Sequence, residues 1–192
     1  MIQSLLLTLV AAIAGYFGQY PREADEAIIY AVKNRSVIET INRYLPGNEG
    51  LEAMCIVAPE VSQYSKFYDA AEVYALAALY VNAGRSDFSV GPFQMKPSFA
   101  EDIERRIKAD ESLCKKYEAL IISNNGREGR GTRVSRLASI KWQIVYLSAF
   151  YEIALRKVSA MTFKDAEDRL CYIATLYNGG MGLSKQQVEA RM

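Results

Sequence analysis

The sequence predicts a mainly helical domain carrying one small hairpin-like segment near residues 87–95. Three observations lead there. Apolar residues recur every three to four positions along most of the chain, the spacing that gathers them on one face of a helix. Proline and glycine fall between these periodic stretches rather than throughout them, where they punctuate instead of break. One stretch alone, "DFSVGPFQM" (87–95), alternates around a glycine-proline step and reads as extended chain and turn.

The elements follow in order. Residues 23–45 place Ile28, Ile29, Val32, Val37, Ile38 and Ile41 at helical spacing, suiting one helix or a broken pair, with Pro46-Gly47-Asn48 as the stop. A helix over 49–58 turns Leu51, Met54, Cys55 and Val57 inward; Pro59 stands at its last turn and Glu60 follows. A third helix covers 68–83, with Gly84 as its C-terminal cap. Pro97 opens a fourth, 97–108, because proline lacks an N–H where a helix has no use for one. The stretch 123–133, "SNNGREGRGTR", holds three glycines and three arginines and reads as a loop. Residues 134–158 are apolar on most faces and read as one central helix. Thr162-x-x-Asp165 resembles a capping box for a helix to about Tyr177, which Asn178-Gly179-Gly180 ends, and Ser184-x-x-Gln187 caps a short final helix.

Composition narrows the chemistry. At 192 residues with 51% hydrophobic content the chain can bury a core. Its formal net charge of +1 gives no global attraction to nucleic acid, and none is expected as a partner. Histidine is absent, which removes Ser-His-Asp and Cys-His nucleophile pairs and HExxH zinc sites. Acid–base work would fall to carboxylates, tyrosine or lysine. Cys55, Cys114 and Cys171 are scattered among apolar neighbours and read as buried free thiols, with one disulfide as the other possibility. No phosphate-cradling loop, metal-ligand cluster or nucleotide motif is present, so no cofactor is expected. The apolar run Leu5 to Ala14 with its Ala12-x-Ala14 step suits an export signal over residues 1–20, leaving 21–192 as a single domain. No basic residue precedes that run, so a first core helix is the competing reading; it is too short for a stable membrane span.

Three local features stand out from the helical background: Pro59-Glu60-Val61-Ser62, the turn Gly91-Pro92-Phe93-Gln94 with Pro97 after it, and Leu176-Tyr177-Asn178-Gly179-Gly180. In that order, across about residues 51–182, they resemble the lysozyme-like superfamily, in particular the soluble lytic transglycosylases. Those enzymes carry an apolar helix ending in a catalytic glutamate, a Gly-Leu-Met-Gln turn and a later Ala-Tyr-Asn-x-Gly segment. The block 87–99 is also similar to one found in divergent envelope proteins of Bacteroides-like bacteria.

The resemblance implies an exported, α+β lysozyme-like enzyme of the periplasm or cell envelope that cleaves peptidoglycan strands. Glu60 would be the catalytic acid, its pKa raised by the apolar neighbours Ile56, Val57, Pro59 and Val61. Gln94 would line the cleft and hydrogen-bond the sugar, Tyr177 would orient the acid or touch sugar, and Ser62 would bind substrate. Asn178 would shape the helix end. Packing offers each a plainer role: a surface amide for Gln94 and a buried helix-end tyrosine for Tyr177. Two departures from the family pattern are plain: serine comes one position late, and the interval from Glu60 to Gly91 is long. Glu72 stands at a more typical distance from Gly91 and is the competing acid, although its setting, "DAAEVYALAALY", reads as packing. The competing function is a non-catalytic glycan-binding or envelope-assembly module.

Overall fold

The computed structural model describes residue 29 and residues 35–67 and 70–192. The expectations for residues 1–20 and for the start of the first helix lie outside the described residues. Nine α-helices occur among those described: α1 (Arg35–Ile41), α2 (Glu49–Phe67), α3 (Ala70–Ala83), α4 (Pro97–Lys108), α5 (Glu111–Lys116), α6 (Arg127–Leu137), α7 (Ile140–Val158), α8 (Ala166–Gly179) and α9 (Lys185–Glu189). None is long and apolar enough to cross a membrane. The mainly helical class is therefore borne out, with a single antiparallel bridge, Val90 to Met95, in the segment expected to be a hairpin. The chain divides into two compact units, Met1–Ser62 with Phe150–Met192, and Gln63–Ala149.

In the first unit α1 buries Val37 and Ile41 and hands over at Gly47, whose φ of 63° turns the chain into α2. α2 corrects the sequence reading. It does not stop near Ala58 but continues through Pro59 to Phe67, so Glu60 lies inside a helix. An interior proline removes a hydrogen bond and costs about 3 kcal/mol. Val57, Ala58 and Val61, all buried around it, offset that, since each larger aliphatic side chain contributes about 1.5–3 kcal/mol on burial.

α8 starts at Asp165, not at Thr162: the Asp165 carboxylate accepts from the Asp168 N–H at 2.9 Å, and Asp168 accepts from the Lys164 N–H at 3.1 Å. Gly180, at φ 96°, ends it. Ser184 and Gln187 form the expected reciprocal capping box of α9. Glu52 of α2 joins three helices of this unit. It accepts from Arg169 of α8 at 2.9 and 3.0 Å and from the Tyr151 hydroxyl of α7.

In the second unit Gly84, at φ 65°, closes α3 by donating to the Tyr80 carbonyl at 2.8 Å. α4 begins at Pro97 as predicted. Its free N–H groups are served from a distance: the Asp87 carboxylate accepts from the Ser98 N–H at 3.1 Å and the Ser98 hydroxyl at 2.7 Å.

Two expectations fail here. Residues 123–133 are not one loop, because α6 starts at Arg127, and the helix expected over 134–158 breaks at Ala138-Ser139. The start of α6 inside the expected loop is due to a buried arginine. Arg133 is 0% exposed and donates to Glu104 at 2.7 and 3.0 Å, to Tyr80 at 2.6 Å, to Glu101 at 3.1 Å and to Asn125 at 3.0 Å. The Tyr146 hydroxyl adds a bond of 2.7 Å to Glu104. These bonds hold α6 despite a glycine-rich sequence of poor helical propensity. Gly129 is required rather than incidental, since a Cβ there would lie 1.9 Å from the Asn124 carbonyl oxygen. Arg130 and Arg136 are also engaged, on the carbonyls of Val81 (2.8 Å) and Leu120 (2.9 Å).

Candidate functional site

Of the residues singled out in the sequence, Glu60 and Tyr177 share the first unit and sense one another. Glu60 is half-buried on α2, in a helix whose neighbours Val57, Ala58 and Val61 are buried. Tyr177 is buried near the end of α8, its ring edge-on to Phe150 with centroids 5.2 Å apart. Burial pushes the Tyr177 hydroxyl well above the usual phenol range, and the nearby Glu60 carboxylate pushes it further the same way. A phenol kept neutral can donate a hydrogen bond to an ionised carboxylate within its reach.

The other predicted residues fall out differently. Asn178 is exposed on the last turn of α8, inside the helix rather than beyond it. Ser62 lies in the α2 backbone, and its side chain is outside the described residues. Glu72, the competing acid, is exposed in the first turn of α3.

Gln94 belongs to the second unit and closes its own turn. Its backbone has φ 49°, and its amide Nε2 donates to the Gly91 carbonyl at 2.8 Å. Phe93 and Met95 are buried as expected, 0% and 1% exposed, but a turn over 91–94 and not an extended segment brings them into the core.

A glutamine the sequence reading passed over does more for this turn. Gln143 on α7 is fully buried. Its Oε1 accepts from the Phe93 N–H at 3.0 Å, and its Nε2 donates to the carbonyls of Val90 (2.5 Å) and Leu137 (2.8 Å). One side chain therefore binds the turn and the end of α6. Gly91, at φ 69°, fits against it because a Cβ would lie 2.3 Å from Gln143 Nε2. The only signal in the sequence was a lone amide in "IKWQIVYL".

The cysteines are free, with Cys55 buried and Cys114 and Cys171 half-buried, so burial was correctly expected for one of the three. Burial first, and then the Glu52 carboxylate, push the Cys55 thiol up to about 12. Among the described residues no group of three or more acidic or cysteine side chains is arranged to hold a metal ion. A cleft of about 460 Å³ opens on α4, lined by residues of the second unit and by none of the predicted site residues. No protein-family model, curated protein or solved structure matches the chain.

Proposed function

We propose that the protein is a peptidoglycan-cleaving enzyme of lytic-transglycosylase type, acting in the cell envelope with Glu60 as its single acid and base. The observation that carries this reading is the pairing, within one unit, of a half-buried glutamate with a buried tyrosine hydroxyl whose pKa it raises. Glu60, protonated, gives its proton to the glycosidic oxygen between N-acetylmuramic acid and N-acetylglucosamine as the C1–O bond breaks. The sugar's own N-acetyl group stabilises the oxocarbenium-like centre. The Glu60 carboxylate then takes the proton of the C6 hydroxyl as that oxygen bonds to C1, giving a 1,6-anhydro product without water. Tyr177 orients the carboxyl group through both steps.

The test is mass spectrometry of purified sacculi after incubation with the protein. Wild type is expected to release anhydro-muropeptides and Glu60→Gln to release none while keeping its helical circular dichroism. A Glu60→Gln variant as active as wild type removes Glu60 from the reaction.

A second reading, a glycan-binding or envelope-assembly module without catalysis, has one observation in its favour. Glu60 sits mid-helix, whereas the enzymes it resembles carry their acid at a helix end. Sacculi that retain the wild-type protein but yield no soluble fragments would select that reading.

A further inference from the structure

We infer that the cleft on α4 is a binding site for a short zwitterionic peptide, its ammonium end on Glu101 and its carboxylate end on Lys108 and Arg105. This inference is independent of Glu60. It starts from the cleft's size, about 460 Å³, which is the range of small-ligand sites. It rests on how charge is laid out along the α4 wall.

At the N-terminal end carboxylates are in excess. Arg133, fully buried, serves both Glu104 and Glu101, so two carboxylates share one cation. Glu104 is enclosed, and the surplus negative charge resides on Glu101, whose side chain is 42% exposed. Glu101 is held ready: its Oε1 accepts from the Tyr80 hydroxyl at 2.5 Å and from Arg133 at 3.1 Å, and Oε2 accepts no hydrogen bond among the described residues. Arg133 has no donor to spare for a ligand, because Glu104, Glu101, Tyr80 and Asn125 take its N–H groups. Its part is to fix Glu101 and Asn125.

At the C-terminal end cations are in excess. Asp102 is shared between Arg105 and Arg106. Lys108 donates only to the Ile122 carbonyl, at 2.7 Å, and meets no carboxylate among the described residues. The helix macrodipole makes this end attractive to cations, yet the cationic side chains outnumber the acids, leaving room for a ligand anion. From Glu101 to Lys108 is seven residues, roughly 10 Å of helix at about 1.5 Å per residue. Three residues of extended peptide span about the same distance. A free tripeptide can therefore satisfy both ends at once, whereas a simple cation or anion satisfies only one.

The probe is trialanine, titrated into the full chain and followed by amide chemical shifts. Saturable binding with Kd on the order of 1 mM is expected, with the largest shifts on α4. N-acetyl-trialanine and trialanine amide should each bind roughly tenfold more weakly, because each loses one charged contact. Glu101→Gln and Lys108→Met should weaken trialanine by a similar factor. The blocked peptides test the proposal on the wild-type chain, so it does not depend on how the variants fold. No saturable shift by about 10 mM, or equal binding of free and blocked peptides, overturns it.

Discussion

Arg133→Met isolates the interaction that organises the second unit. Methionine fills most of the space of the arginine stem and removes the charge. What remains is Glu104, with a side chain 4% exposed, whose charge has lost its cation. Breaking a buried ion pair from one side costs about 3–5 kcal/mol, because the surviving ion stays desolvated without compensation. The contact with Glu101 adds less, since that carboxylate is 42% exposed and screened by solvent. For a chain of this length 1 kcal/mol moves the melting temperature by roughly 2–4 °C, so the expected drop is about 6–20 °C. Urea and thermal denaturation of wild type, Arg133→Met, Glu104→Gln and the double variant form a cycle. The double variant should regain at least about 2 kcal/mol over the sum of the singles, because the neutral amide keeps a partner in Tyr146 and no longer strands a charge. An Arg133→Met variant within about 1 kcal/mol of wild type, or strict additivity, would refute the account of why α6 is a helix.

Three further outcomes are expected. Gln143→Leu leaves the Phe93 N–H and the carbonyls of Val90 and Leu137 without that partner, and should cost several kcal/mol at about 1–3 kcal/mol for each stranded group, read by urea denaturation. The Cys55 thiol, pushed up to about 12 by burial, should resist a thiol-specific reagent at pH 8 in the folded protein and react on unfolding. The hydroxyls of Tyr80, Tyr146, Tyr151 and Tyr177 are all raised, chiefly by burial. Raised folded-state values leave stability unchanged below the ordinary phenol pKa of about 10 and erode it as pH climbs beyond, when the unfolded chain ionises first. Ultraviolet titration should accordingly show these tyrosines ionising late and together with alkaline unfolding.

How much of this was legible depended on whether a local signal or a distant partner decided the outcome. Pro97 opening α4, Gly84 and Gly180 closing helices, and the Ser184–Gln187 box are local rules, and each appears where the sequence put it. The burial of Phe93 and Met95 also came out as expected, although a turn and not an extended segment delivers it. The misses share a cause. Pro59 was read as a stop because local sterics favour one, but burial on both sides of it carries α2 onward to Phe67. Glycines at 126, 129 and 131 signalled a loop, yet α6 is held by bonds from Arg133 to residues 29 and 53 positions away. Gln143 and the Glu52–Arg169–Tyr151 cluster were hidden because their partners are remote in the chain.

That contrast bears on where the functional argument should stand. The block "DFSVGPFQMKPSF" is one of the features on which the sequence reading leaned, and packing accounts for nearly all of it. Asp87 caps α4, Phe88, Val90, Phe93 and Met95 enter the core, Gly91 makes room for Gln143, and Pro97 starts a helix. The Gln94 amide N–H is given to its own turn, so the residue the resemblance would place on sugar already has a structural task. A motif this well explained by folding lends little weight to glycan cleavage. The weight passes to Glu60 and Tyr177: half-burying a carboxyl group in an apolar helix beside a buried phenol costs desolvation energy. If that cost serves chemistry, Glu60→Gln should raise the melting temperature while abolishing release of anhydro products. Paired calorimetry and sacculus digestion measure both, and a variant that loses stability instead would return Glu60 to the ranks of structural residues.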